Sequence, residues 1–209
     1  MPAAPVALGF KIHTGWAAVV AARRPQGHAE ILLRRRIELL PPDGSVPRFV
    51  YHQAAELPIA EASRLIKRAA RAAQEAAHDA LATVLEELRD KQVTIEAAGI
   101  ATGSTAVPSD LKSILAAHTL IHAAEGALFQ EALAPTCEAR GLAVTRVRER
   151  DLWLQLGQEA QKELDSLRGL IGPPWGADQK TAAGAALVAL SPVGPGLPAR
   201  RRASARRGL

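Results

Sequence analysis

Three residues with chemistry of their own, His118, His122 and Glu125, stand in the run HTLIHAAEG. Spacings of four and three residues place them on one stripe of a helix. A wheel drawn from 110 to 134 puts Ile114, Leu115, Ile121 and Phe129 on the same stripe, with Lys112, Ala116, Ala123, Ala127 and Gln130 opposite. The three titratable groups are therefore expected to face inwards, where a polar group is costly unless paired. Histidine titrates near neutral pH and suits acid–base work. A His pair at i and i+4 also suits a metal ion. One ion held by all three is not expected, since His118 and Glu125 lie about 10 Å apart along a helix axis. A metal site here needs further ligands, with Asp178, His13 and His52 as the donors to consider. The alternative is structural: a neutral buried imidazole donating to a carbonyl, and Glu125 paired with a base.

A second constellation is GPPWGADQK at 172–180. Two prolines fix the approach to a final helix, and Asp178 falls at its N-cap or in its first turn. Lys180 in that turn opposes the helix dipole: it is either a solvated lysine that costs about a few tenths of a kcal/mol or a choice against the rule with a compensating role. An anion bound at the helix N-terminus would supply one. Trp175 is read as a core or lid residue, with stacking on a base or ring as the alternative. His13-Thr14-Gly15 and Thr102-Gly103-Ser104-Thr105 offer hydroxyls and backbone N–H groups in short loops. Neither a G-x-x-x-x-G-K-[ST] loop nor a G-x-G-x-x-G turn is present, so the familiar nucleotide loops are absent. Cys137, the only cysteine, excludes an internal disulfide and a Cys-based zinc site, and is read as a small core residue.

The composition is that of a globular chain: 209 residues, 48% hydrophobic, 22% charged. Aromatic residues are only 3%, so Ala, Leu, Val and Ile must fill the core. The net charge of +5 comes from Arg200, Arg201, Arg202, Arg206 and Arg207; without them 21 basic residues balance 21 acidic ones. The body is thus not a broadly basic nucleic-acid binder. The tail, 191–209, is expected to be disordered and Arg-rich, either a source of salt-sensitive attraction to nucleic acid or a solubilising extension. No apolar run has the length of a membrane span and the N-terminus does not read as a signal peptide, so the expected location is a bacterial cytoplasm.

The elements that must position these residues are read as follows. A strand, a break at His13–Gly15 and a second strand fill 5–22; another strand covers 29–39, with Arg34 and Arg36 on one face and Arg35 on the other. Residues 48–52 are read as a short edge strand. A long helix spans 59–90, a strand 93–102, the His/Glu helix 110–134 with Ser109 as N-cap and Pro135 as its end or kink, and a strand 142–148. One or two helices cover 149–170 and a last helix 178–190. The order predicts a single α/β domain, 1–190, with a mixed sheet and helices on its faces.

That order, with the opening LGFKIHTGWAAVVA and the closing GADQKTAAGAALVAL, resembles the ribonuclease H-like superfamily, in particular RuvC-type Holliday-junction nucleases. The chain also resembles an uncharacterised bacterial family with non-standard active-site residues. The resemblance implies a ribonuclease H-like mixed sheet. It also implies a working site at carboxylates on the first strand, the fourth strand and the last helix, which hold two divalent ions. Here those positions fall on Lys11, on Thr102-Gly103-Ser104, and near Thr181 and Gly184. A standard two-metal centre is not encoded.

The working face is expected to gather Lys11, His13, Thr14, Ser104, His118, His122, Glu125, Asp178 and Lys180 around a phosphate-containing ligand, nucleotide or nucleic acid. In a hydrolytic version His118 or His122 is the general acid/base, Glu125 orients the imidazole, Asp178 joins the catalytic set, and Lys11 and Lys180 stabilise developing charge. Two alternatives stay open: a catalytically inactive scaffold that binds a partner, and a His/Glu/Asp metal hydrolase.

Overall fold

The computed structural model describes residues 4–191; the Arg-rich tail expected beyond lies outside them. Five strands form one sheet in the order β3-β2-β1-β4-β5. β1 (Val6–His13), β2 (Trp16–Arg23) and β3 (Glu30–Glu38) are an antiparallel meander, and β4 (Ile95–Thr102) and β5 (Ala143–Arg148) lie parallel to β1 and to each other. The break read at His13–Gly15 is a tight hairpin: His13 pairs with Trp16, and Gly15 takes a left-handed φ of 83°.

Each face of the sheet carries its own helical layer. Alternate residues Leu8, Phe10 and Ile12 of β1 point to one layer and Ala7 to the other, as strand periodicity requires. The first layer is α2 (Ile59–Asp90) and α4 (His118–Ala139). α2 buries Ala62, Leu65, Ala69, Ala73, Ala77, Leu81, Val84 and Leu88, a stripe at steps of three and four with small residues at its centre, so the helices approach closely without aromatic bulk. The other layer is α8 (Ala177–Leu190), flanked by α5 (Glu149–Leu156), α6 (Gln158–Ser166) and α7 (Arg168–Ile171). α8 lies almost on the backbone of the sheet. A Cβ added at Gly9 would stand 1.8 Å from the Ala182 carbonyl oxygen, and one at Gly99 1.9 Å from that of Ala185.

Two local readings are corrected. Residues 48–52 do not form an edge strand; they lead into a short helix, α1 (Val50–Ala55). The His/Glu helix is two helices: α3 (Leu111–Leu115), capped by Asp110 and not Ser109, and α4, which begins at His118 after an extended Ala117. Asp110 accepts the Ser113 N–H at 2.9 Å, the ordinary N-cap bond. Pro135 sits inside α4, which runs on to Ala139. Among the described residues, no helix is long and apolar enough to cross a membrane.

Candidate functional site

Because β1, β4 and β5 are parallel, their carboxyl ends lie on one edge of the sheet, where open α/β sheets hold ligands. A cleft of about 320 Å³ opens there, lined by Ile12, Gly103, Ser104, Thr105, Thr119, His122, Gln130 and Glu149 among others. β1 contributes its last apolar residue as floor. The loop after β4 contributes hydroxyls and backbone amides, α4 one wall, and the first residue of α5 a carboxylate. Ser104 and His122 both line this cleft.

Lys11, in the last turn of β1, points to the α8 side and donates to the Glu149 carboxylate at the rim of the cleft. The position at which the resemblance places a metal-binding acid thus holds an ammonium group already neutralised by a carboxylate from α5. The residues present do not fit a two-metal carboxylate centre.

His13 and Asp178 meet at 2.9 Å, joining the end of β1 to the first turn of α8. The His13 ring stacks on Trp16 with centroids 4.2 Å apart, and the Arg36 guanidinium lies 4.1 Å from the Trp16 ring. A chain of packed polar and aromatic groups therefore runs down the hairpin, and neither His13 nor Asp178 lines the cleft. Thr14 offers its carbonyl to the Arg48 guanidinium at 3.3 Å.

Lys180 donates to Asp165 of α6 at 2.6 Å. Its charge in the first turn of the helix is thus met by a carboxylate of this chain. Arg34 donates to the carbonyls of Ile171, Gly172 and Pro174, which ends α7 and fixes the turn before α8. Trp175 is buried and donates its indole N–H to the Leu164 carbonyl at 2.7 Å, a core role.

The stripe of α4 divides. Glu125 is buried, 2% exposed, but His118 and His122 are exposed, contrary to the expectation that all three face inwards. The cause is the break at Ala116–Ala117. It separates α3 from α4, so Ile114 and Leu115 do not continue the same wheel, and the two imidazoles stand at the free N-terminal end of α4. Glu125, deeper along it, lies under α1 and accepts the backbone N–H groups of Val50 (3.2 Å), Tyr51 (2.8 Å) and His52 (3.2 Å). These are the first N–H groups of α1, which its own turn leaves without acceptors. Glu125 also accepts from Nδ1 of His52 at 3.1 Å. The imidazole it orients is therefore that of His52, not that of His118 or His122. His52 in turn stands 4.7 Å from the His122 ring and 5.6 Å from the His118 ring, centroid to centroid. The sequence names His52 as one possible further ligand but gives no local signal for its place, because α1 reads as strand.

No family model matches the chain, and no curated protein does. Solved structures do. The structure of RuvC from Thermus thermophilus superposes with a TM-score of 0.50 at 13% identity, over 88% of this chain and 92% of that one. The fold is ribonuclease H-like. A second structure, T. thermophilus RuvC in complex with Holliday junction substrate, gives a TM-score of 0.49 at 14% identity, over 88% and 91%. The mixed sheet expected from element order is present.

Proposed function

We propose that the chain binds a phosphate-bearing ligand, nucleic acid before free nucleotide, in the cleft at the carboxyl ends of β1 and β4. The observation that carries this reading is the cleft itself: Gly103, Ser104 and Thr105 bring backbone amides and hydroxyls to one wall, and Thr119, His122 and Gln130 bring donors to the other. Phosphate oxygens are held by such donors as well as by lysine and arginine. The ribonuclease H-like fold supports nucleic acid as the ligand class, as does the opening hairpin, LGFKIHTGWAAVVA, with its likeness to junction nucleases.

Binding is favoured over hydrolysis by the residues present. Lys11 and Lys180 are each held by a carboxylate, Asp178 is held by His13, and Glu125 holds α1. Of the residues expected to do chemistry, His122 is the one that lines the cleft.

The test is fluorescence anisotropy with labelled four-way junction, duplex and single-stranded DNA at low and moderate salt, with nucleotides as competitors. Ser104→Asp places a negative charge in the exposed wall and is expected to weaken binding at least about tenfold. No binding by the wild type to any of these, or equal binding by Ser104→Asp, would discard the cleft reading and favour a scaffold that binds some other partner.

A further inference from the structure

We infer that His52, His118 and His122 form a site for one divalent transition-metal ion of the zinc class, with Glu125 as the positioning carboxylate. One ring nitrogen of each histidine lies within 4.8 Å of those of the other two. Nε2 of His118 and Nε2 of His122 are 2.9 Å apart. Two imidazoles on a tetrahedral ion, with bonds of about 2.0–2.1 Å, need their nitrogens about 3.3 Å apart, so this pair is already close to ligand spacing. The four-residue step on α4 sets that spacing, and α1 brings the third ring across the gap.

The tautomer of His52 follows from its partner. With the Glu125 carboxylate as acceptor, as it is for three backbone N–H groups, Nδ1 of His52 is the donor and Nε2 keeps its lone pair. A buried carboxylate that fixes a ligand histidine through its far nitrogen is the usual second support of a metal site. His52 is half-buried and the other two rings are exposed, so solvent ions reach the site without opening the core. Three neutral imidazoles suit zinc, cobalt, nickel and copper, whereas magnesium and calcium prefer oxygen ligands. Three protein ligands leave a tetrahedral ion one position for water or an anion. His122 borders both this site and the cleft. The site stands on its own geometry, and its test uses no nucleic acid.

The full-length protein, freed of metal with a chelator, is titrated with cobalt(II) and followed by visible absorption, and with zinc followed by calorimetry. The expected result is one ion per chain with a tetrahedral cobalt spectrum, displaced by zinc and not by magnesium. His118→Ala, His122→Ala and His52→Ala each lower the affinity on the order of 100-fold or more, while His78→Ala and His28→Ala, both elsewhere on the surface, leave it unchanged. Glu125→Gln lowers it about 10–100-fold and shifts the cobalt spectrum. The exposed His118 and His122 variants are expected to keep the wild-type circular dichroism, so their result does not depend on folding. Zinc raises the melting temperature of the wild type and not that of His118→Ala. Cobalt that stays octahedral, or an affinity unmoved by His118→Ala and His122→Ala together, would overturn the assignment.

Discussion

Glu125 is the residue on which the end of α1 depends. Its carboxylate replaces, for three backbone N–H groups, the acceptors that the first turn of a helix lacks. Glu125→Ala leaves those buried and half-buried groups without that acceptor and is expected to cost about 3 kcal/mol, read from urea unfolding. Cys137 gives a second test at this scale. Burial first, and then the nearby Glu138 charge, push its thiol up to about 12, so almost no thiolate forms near neutral pH. Alkylation of the native protein should be far slower than that of the unfolded chain; equal rates would show that the thiol is not where the core places it. Lys180 shows how far single residues were legible. The conflict between its charge and the helix end was visible in the sequence, and in the structure Asp165 answers it. Sequence could not say whether a ligand or Asp165 would answer it, because the choice lies in how α6 folds back on α8.

The elements were legible where a stripe or an alternation runs long enough to bury a face. α2 shows its heptad-like alanine and leucine steps over 32 residues, and its limits are read without the fold. RFVYH misleads because aromatic and β-branched residues favour strand, while the acceptor that makes Val50–Ala55 helical lies 75 residues further along the chain. The split of α3 from α4 was hidden for a similar reason: alanines at 116 and 117 carry no stop signal. The seating of α8 on the sheet supplies a prediction. Gly99→Ala would drive a methyl group into the Ala185 backbone, and neither strand nor helix backbone yields cheaply, so a loss of more than about 3 kcal/mol is expected in thermal or urea unfolding. The link between the β2–β3 turn and α6 supplies another. Burial alone would raise the Glu163 carboxyl, but the Ala29 N–H, Arg24 and His28 outweigh it and hold it below its ordinary value. A depressed folded-state value means that the stabilisation is present above the unfolded-state value and is lost as pH falls through the folded one. Glu163→Gln should therefore flatten the acid limb of the stability profile and leave its slope near neutral pH unchanged.

For the whole molecule, the mixed sheet with helices on its faces followed from the order of elements, since a meander followed by strand–helix crossovers has few ways to close; the strand order itself came with the structure. The site was half legible. Ser104 and His122 meet at the cleft, and Lys11 reaches its rim through Glu149. His13, Asp178 and Lys180 belong instead to the clamps that hold α8. Residue types alone do not distinguish a clamp from a site, because both use paired charges near helix ends. The body carries no net charge once the five terminal arginines are set aside, so the cleft and the tail make separable contributions to any nucleic-acid affinity. Changing Arg200, Arg201, Arg202, Arg206 and Arg207 to alanine is the most direct test of the cleft, with DNA binding measured by anisotropy across a salt series. The salt slope is expected to fall by up to about 4 while binding persists, and Ser104→Asp in that background removes what remains. Binding that disappears with the arginines alone would contradict the cleft as the ligand site.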